Sequence, residues 1–316
     1  MLAIETRGLT KDYATGFWRK RPHRALDALD LEVQSGEVFG FLGPNGAGKT
    51  TTLKLLMQLV YPTSGSGEML GRPIGDVSVK QRLGYLPESP YFYDYLTAEE
   101  LLVYFARLFG LSAADGRART GRLLDELGIG AERRWPLRKF SKGMLQRVGI
   151  AQALINEPEL VIFDEPMSGL DPLGRRDVRA LILRLRDKGC TVFFSSHVLS
   201  DAEALCSRVA ILARGRLVAR GPLSEIVGLK NRGWELVMAG LPEAVVARLP
   251  GRATRVVKIG PDRYTIELPL DPPPARLLAE LSETGARVIS LNPIHDTLED
   301  FFVRQVAEPA AEHPAR

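Results

Sequence analysis

The sequence contains little cysteine and no long apolar run, and each shortage excludes a class of protein. Two cysteines among 316 residues, Cys190 and Cys206, cannot form a disulfide framework, so we expect a reduced, cytosolic protein. No stretch approaches the roughly 18 consecutive apolar residues of a membrane-spanning helix. The first residues, MLAIETRGLTKDY, lack the apolar segment of a secretion signal. The net charge of +4 is too small to indicate a nucleic-acid partner, and none is expected.

The composition that remains is typical of a globular protein with two domains. Hydrophobic residues make up 45% and charged residues 25%, and 316 residues exceed the usual size of one domain. Strand and helix patterns alternate over 1–228, which predicts an α/β domain with a largely parallel sheet. Over 229–305 the order is β-α-β-β-α-β with a terminal helix at about 297–306, which predicts a small α+β domain. We expect residues 306–316 to be disordered.

Short apolar runs and helix-spaced leucines predict the elements of the first domain. The runs at 38–42, 160–164 and 190–196 are typical of buried strands. Helix-spaced apolar residues predict helical segments over 50–60, 97–128 and 171–189, with a helical subdomain at about 88–155. The last part of the domain, AILARGRLVARG, predicts a hairpin.

The sequence GPNGAGKT at 43–50 matches the phosphate-binding pattern G-x-x-x-x-G-K-[ST] between a predicted strand and a predicted helix. Its glycines allow the backbone to wrap around phosphate, and the helix N-terminus adds positive potential. Lys49 is expected to reach the β- and γ-phosphates, and the Thr50 hydroxyl to bind Mg²⁺. The pattern therefore predicts a nucleoside triphosphate site.

Two carboxylates follow the buried strand at 160–164. Asp164 ends this apolar strand, where an ionised carboxylate is costly unless a cation accompanies it. Mg²⁺ is such a cation, reached directly or through water. Glu165 comes next and is the natural base to orient a water molecule. Taken alone, the triplet DEP could also be a turn that ends a strand; beside the phosphate loop, the catalytic interpretation is favoured.

Further motifs give a family resemblance. After the phosphate loop come FSKGMLQR at 140–147, LVIFDEP at 160–166, SGLD at 168–171 and His197 in SSH. Their order and spacing over about residues 2–228 resemble those of an ATP-binding-cassette (ABC) ATPase. Within that family the chain looks most like the nucleotide-binding subunits of bacterial exporters of drugs, lipids or polysaccharides. The resemblance implies a P-loop NTPase core and a homodimer around two ATP molecules.

The resemblance also implies a role for each matching position. Tyr13 matches the aromatic residue that stacks on adenine. Asp164 matches the Mg²⁺-linked carboxylate and Glu165 the catalytic one, while His197 matches the histidine that bonds the γ-phosphate. Lys49 is counted with Glu165 and His197 as catalytic. The implied nucleotide-binding set comprises Tyr13, Gly43, Pro44, Asn45, Gly46, Ala47, Gly48, Lys49, Thr50, Thr51, Ser141 and Gly143.

Ser141 and Gly143 belong to the signature loop, which in the family contacts the γ-phosphate bound by the opposite subunit. Asp171 closes a loop that passes between subunits. Ser141 is also predicted to be the N-cap of a helix, and the first backbone amides of that helix would face an anion. A helix N-terminus with no phosphate of its own fits one supplied by a second copy.

Two positions depart from the commonest family pattern. The signature reads FSKGM where the family most often has LSGGQ, so that Lys142 and Met144 are new. Glu88 stands where most members have a glutamine that senses Mg²⁺ and water. We count Glu88 with Thr50 and Asp164 as candidate metal ligands, and its presence in place of glutamine bears on the strength of metal-linked coupling.

Two segments that contain several aromatic residues have binding roles that the sequence supports less strongly. The basic loop at 14–24 either contacts anionic lipid or nucleotide, or is a solvated hairpin loop, and the second reading is favoured. Tyrosine is dense around residues 85–95, in the segment that forms the family's groove for a membrane subunit. Tyr91, Phe92, Tyr93 and Tyr95 suit an anchor site, whereas Tyr85 fits core packing equally well.

These observations predict a cytoplasmic ATPase subunit, peripheral on the inner face of the membrane, that drives export through a separate transmembrane permease. One alternative is a soluble cassette protein acting on ribosomes or DNA, which would usually carry two cassettes or a coiled-coil insertion. Another is an importer ATPase, whose C-terminal domain is often a β-barrel module. The transported substrate cannot be read from the sequence.

Overall fold

The structure is a computed structural model that describes residues 1–15, 21–226, 231–295 and 298–299. The chain divides into two compact units, residues 1–223 and 224–316. Most of the predicted final helix at 297–306, the tail at 306–316 and part of the basic loop at 14–24 lie outside the described residues. Among the residues described, no helix is long and apolar enough to cross a membrane.

The first unit contains both strands and helices, in an order that begins with three strands. In chain order its elements are β1 (Leu2–Thr15), β2 (Arg21–Gln34), β3 (Val38–Leu42), α1 (Lys49–Leu56), β4 (Ser64–Met69), β5 (Arg72–Pro73), α2 (Val77–Lys80), β6 (Leu83–Leu86), α3 (Ala98–Leu108), α4 (Ala113–Glu126), α5 (Lys142–Leu154), β7 (Leu160–Asp164), α6 (Pro172–Asp187), β8 (Thr191–Ser196), α7 (Leu199–Leu205), β9 (Arg208–Ala213) and β10 (Arg216–Pro222). The short helix α8 (Leu223–Ile226) begins at the last residue of this unit. A short 3-10 helix at Leu137–Lys139 precedes α5.

A six-stranded sheet forms the centre of this unit, with the order β10-β9-β3-β8-β7-β6. Neighbouring strands from β9 to β6 are parallel, and β10 pairs antiparallel with β9. Strands β3 and β7 are buried along their whole length, as expected for the continuous apolar runs of a parallel sheet covered on both faces. The predicted parallel sheet and closing hairpin are confirmed.

A second, antiparallel sheet has the order β2-β1-β4-β5. Its apolar residues share one core with the six-stranded sheet and α1; members include Ile4, Leu31 and Leu53. Phe193 of β8 stacks on Phe39 of β3, with 5.8 Å between the ring centroids. Because β1 and β2 pack on this core, the C-terminal end of β1 and the N-terminal end of β2 lie beside the loop that follows β3.

The helix after the phosphate loop is shorter than predicted. Helix-spaced leucines predict it over 50–60, but α1 ends at Leu56 and residues 57–60 form a turn. Gln58 adopts a left-handed conformation with φ of 53°, which a continuing helix cannot accommodate. Met57 and Val60 in the turn still pack against the core, whereas Leu59 is mostly exposed, so the apolar pattern does not reveal the end of the helix.

Three helices, α3, α4 and α5, pack on one another within the predicted helical subdomain. Thr97 and Glu100 form a capping box at the start of α3. Ser141 is the N-cap of α5, as predicted, and its side chain accepts a hydrogen bond from the backbone N–H of Met144. Asp171 caps α6 in the same way, and Pro172 occupies its first turn.

The second unit contains one antiparallel sheet. Its elements are β11 (Asn231–Ala239), α9 (Glu243–Val246), β12 (Arg255–Lys258), β13 (Arg263–Pro269), α10 (Ala275–Glu283) and β14 (Arg287–His295). The strand order β12-β13-β11-β14 is that of a split βαβ arrangement, because β13 lies between β11 and β12. Leu236, Ile266 and Leu281 belong to its core. The predicted β-α-β-β-α-β order is confirmed for the described residues.

Candidate nucleotide-binding site

The loop between β3 and α1 has a conformation that only glycine permits at two positions. Gly43 and Gly48 have φ values of 156° and 106°. A Cβ atom would come within 2.3 Å of the Leu212 carbonyl oxygen at Gly43, and within 2.5 Å of the Ala25 carbonyl oxygen at Gly48. The loop therefore curls tightly against neighbouring backbone, as a phosphate-binding loop requires.

This loop opens onto a cavity of about 510 Å³ in the first unit. Ten of the residues predicted for the site line it: Tyr13, Pro44, Asn45, Gly46, Gly48, Lys49, Thr50, Thr51, Glu88 and Glu165. His23 and Ala25 of β2 complete the lining, and the sequence analysis did not single them out. Glu88 is exposed at this cavity. A volume of this size suits a small-molecule ligand.

Lys49 and Glu165 are buried side by side in the cavity wall. The Lys49 side chain is 6% exposed, and its Nζ lies 3.5 Å from Glu165 Oε1. Lys49 also donates hydrogen bonds to the carbonyl oxygens of Gly43 at 2.7 Å and Pro44 at 3.3 Å. Ala47 is buried in the loop, and its N–H donates to the Pro44 carbonyl. These contacts fix the ammonium group at the start of α1.

Glu165 connects the loop to His197. Its Oε2 lies 2.9 Å from His197 Nδ1, and the imidazole is about half exposed. Glu165 adopts a left-handed backbone conformation with φ of 50°, which is costly for a residue with a side chain and is found mainly at functional sites. Buried Gln146 donates to the carbonyl oxygens of Glu165 and Pro166 and holds this backbone.

Asp164 has one carboxylate oxygen without a protein partner. Ser195 Oγ donates to Asp164 Oδ1 at 2.6 Å and accepts from the N–H of Glu165 at 3.1 Å. Asp164 Oδ2 is buried, and no hydrogen-bond partner for it occurs among the described residues. A buried carboxylate oxygen normally has a partner, and a divalent cation is one that oxygen ligands suit. The residues present therefore fit Mg²⁺.

Ser141 and Gly143 lie elsewhere. Neither belongs to the described residues that line the cavity. A Cβ atom on Gly143 would contact Leu170, and one on Gly169 would come within 2.9 Å of the Lys142 side chain. The signature loop thus rests on the SGLD loop of its own chain. Ser195 and Gln146, like His23 and Ala25, are site residues that sequence reasoning missed.

The tyrosines at 85–95 differ in burial, so core packing and an exposed anchor site each apply to part of this segment. Tyr85 packs against the core of the first unit. Burial, together with the nearby charge of Asp164, raises the pKa of Tyr85 to about 12. By contrast, the side chains of Tyr91, Tyr93 and Tyr95 are 95%, 62% and 65% exposed. Core packing is therefore correct for Tyr85 and wrong for these three tyrosines.

A phosphate-binding loop at the end of β3 and an acidic pair at the end of β7 define a P-loop nucleoside triphosphatase. The model of the ABC transporter family matches residues 26–168. An uncharacterized ABC transporter ATP-binding protein of Synechocystis is 45% identical over 96% of this chain and 85% of its own length. The chain belongs to the ABC transporter family, as an ATP-binding ATPase subunit.

Two further relatives have assigned roles. The bacitracin transport ATP-binding protein BcrA of Bacillus licheniformis is 34% identical over 96% of this chain and 97% of its own length. The daunorubicin/doxorubicin resistance ATP-binding protein DrrA of Streptomyces peucetius is 33% identical over 98% and 93%. Among solved structures, an ATP-binding subunit of an ABC transporter has a TM-score of 0.63 and 34% identity, covering 71% of this chain and 91% of that chain.

Proposed function

We propose that this chain is the ATPase subunit of an exporter whose membrane subunit is a separate protein. The observation that carries the catalytic part is the contact of buried Lys49 and half-exposed His197 with the two oxygens of one buried carboxylate, Glu165, at the wall of the ATP-sized cavity. Export is supported by the relatives that act in bacitracin transport and daunorubicin/doxorubicin resistance. No observation favours the ribosome, DNA or importer alternatives.

Residues that line the cavity, together with Asp164 and His197 next to Glu165, each contribute to hydrolysis. Lys49 neutralises charge on the β- and γ-phosphates, and the loop amides position them. Glu165 accepts a hydrogen bond from the attacking water and orients it, while His197 bonds the γ-phosphate. Thr50 and Asp164 would hold Mg²⁺, which neutralises phosphate charge when bound. Tyr13 stacks on the adenine.

A second copy of the chain completes the site in this proposal. Ser141 and Gly143 are absent from the described lining of the cavity, although their helix α5 begins with a cap and carries no acidic residue in its first turn. Lys142 adds a positive charge at the same helix end. Such a terminus attracts an anion, and the γ-phosphate of an ATP bound to the other copy is the anion we assign to it.

The membrane subunit is proposed to dock near Tyr91, Tyr93 and Tyr95. The ring centroids of Tyr93 and Tyr95 lie 5.8 Å apart, so two of the three exposed tyrosines form an aromatic pair. Tyrosine combines large contact area with a polar group, which suits a protein interface. Docking would place the chain at the cytoplasmic face of the membrane. Glu88, between this segment and the cavity, would couple the two by binding Mg²⁺ or orienting water.

The second unit is proposed to assist dimerisation or regulation and to perform no chemistry. Its described residues contain no group of three histidine, cysteine, aspartate or glutamate side chains that could hold a metal ion. The unit has its own core, which includes Leu236 and Ile266. We assign ATP binding to the first unit alone, where every residue that lines the nucleotide cavity is found.

Substitution of Glu165 by Gln tests the catalytic assignment. The amide keeps the size of the side chain but removes the base and its charge beside Lys49. We expect turnover to fall about 10²- to 10⁴-fold, with ATP binding retained and ATP-bound dimers accumulating on size-exclusion chromatography. Glu126→Gln, an exposed carboxylate on α4, is the matched control and should hydrolyse ATP normally. A Glu165→Gln protein with wild-type turnover would exclude Glu165 as the catalytic carboxylate.

A further inference from the structure

One wall of the nucleotide cavity consists of two paired strands. Tyr13 of β1 lies directly opposite His23 of β2 in the antiparallel register. Side chains directly opposite each other project from the same face of a sheet, about 5 Å apart at Cβ. Both residues line the cavity, as does Ala25, two residues further along β2. Alternate residues of β2 therefore face the cavity.

The intervening residue has the opposite orientation. Arg24 forms ion pairs with Asp12 at 2.9 Å and Asp27 at 3.0 Å, and it does not belong to the described lining of the cavity. Asp12 precedes Tyr13 on β1, so this pairing holds the two strands in register next to the Tyr13–His23 pair. The paired strands therefore hold the Tyr13 and His23 rings on a backbone whose register these ion pairs stabilise.

The position of His23 along β2 corresponds to the base end of a bound nucleotide. The Ala25 carbonyl oxygen lies against Gly48 of the phosphate loop, where a Cβ atom would come within 2.5 Å of it. His23 is two residues further from the loop, about 7 Å along an extended strand. A nucleotide with its phosphates on the loop extends its base towards Tyr13 and His23.

The Tyr13 ring is also held in place. Lys11 Nζ lies 5.1 Å from the ring centroid, a cation–π distance. The same ammonium group donates a 2.7 Å hydrogen bond to the Tyr61 carbonyl. Tyr13 is anchored in this way and His23 is its cross-strand partner, so both rings border the cavity where a base would lie.

We propose that the His23 imidazole is a second base-contacting ring, which packs on the base beside Tyr13 and determines preference for purine nucleotides. The proposal rests on the ATP site described above. Two adjacent rings cover a bicyclic purine more fully than a monocyclic pyrimidine. His23 therefore contributes more to the binding of ATP than of CTP, and nothing to the binding of the phosphates.

Equilibrium binding by the full chain, without divalent cations so that hydrolysis does not interfere, tests this. ATP, CTP and inorganic tripolyphosphate are the three probes. We expect His23→Ala to weaken ATP binding about five- to tenfold and CTP binding about twofold, by analogy with stacking of bases on aromatic side chains. Tripolyphosphate binding should be unchanged. His23→Phe, which keeps a ring, should bind ATP within about twofold of the wild type.

Pro22→Ala is the matched control, since Pro22 is an exposed neighbour on β2 outside the described lining of the cavity. It should leave all three affinities unchanged. Unchanged ATP binding by His23→Ala would overturn the proposal, and so would an equal loss for ATP and tripolyphosphate, which would place the effect at the phosphates. Failure of the wild type to bind ATP would instead refute the nucleotide site itself.

Discussion

Ser195 offers a direct test of how the acidic pair is held. Its Oγ donates to Asp164 and accepts from the N–H of Glu165, and the residue is fully buried. Ser195→Ala removes both bonds and leaves two buried polar groups without that partner. Since each such group costs about 1–3 kcal/mol, we expect the free energy of unfolding to fall by about 2–6 kcal/mol.

The same substitution should weaken the response to Mg²⁺. A residue that hydrogen-bonds a metal ligand typically contributes about 10- to 100-fold to metal affinity. We therefore expect the Mg²⁺ concentration for half-maximal ATPase activity to rise by about 10-fold or more in Ser195→Ala. The assays are urea unfolding for stability and phosphate release against Mg²⁺ concentration.

Thr191→Val separates the two effects. Thr191 lies at the opposite end of β8, where its buried hydroxyl accepts a hydrogen bond from the N–H of Gly36 at 2.9 Å. Its loss should cost about 1 kcal/mol without changing the Mg²⁺ dependence. If Ser195→Ala shifted stability but kept the wild-type Mg²⁺ curve, Ser195 would be a structural residue and the reasoning would be refuted.

Three further predictions concern Glu88, the second unit and the cysteines. Glu88→Ala should keep ATP affinity but weaken Mg²⁺-dependent turnover, while Glu88→Gln retains much of it; superimposable ATPase curves against Mg²⁺ would make Glu88 a solvated carboxylate. A chain ending at residue 228 should still bind ATP with Mg²⁺ in a titration, and loss of binding in a folded truncation would contradict this. Burial raises the pKa of Cys190 to about 12 and that of Cys206 as well. Both thiols should therefore resist alkylation at pH 8 until the protein unfolds. Because the unfolded thiols ionise first, stability should fall as pH rises above about 8.5, measured by urea unfolding across pH.

The parts of the site that sequence predicts are those encoded locally. Gly43 to Thr50 form one continuous segment, a loop after a strand followed by the first two residues of a helix, so a short pattern specifies them. Asp164 ends an apolar strand, and its burial follows from the neighbouring residues. The buried strands were predicted for the same reason, since a strand covered on both faces needs an unbroken apolar run.

The parts that sequence analysis missed depend on which strands are neighbours. Ser195 acts on Asp164 because β7 and β8 are adjacent and these two residues are paired in register. A signal was present, because Ser195 and Ser196 are polar residues at the end of a strand whose middle, 192–194, is apolar. His23 faces Tyr13 only because β1 and β2 pair in that register, which includes several irregularities.

Ser141 has one property that the local sequence predicts and one that depends on the tertiary structure. Its role as a helix cap is local, and the sequence predicted it correctly. Whether the helix it caps also faces the nucleotide of its own chain is a tertiary question. In the described residues the cavity is lined without Ser141, while the N-terminus of α5 lies beside the SGLD loop and contains Lys142 with no acidic residue. A positively charged helix end that does not line the phosphate site of its own chain supports our proposal that it contacts the phosphate bound by another copy.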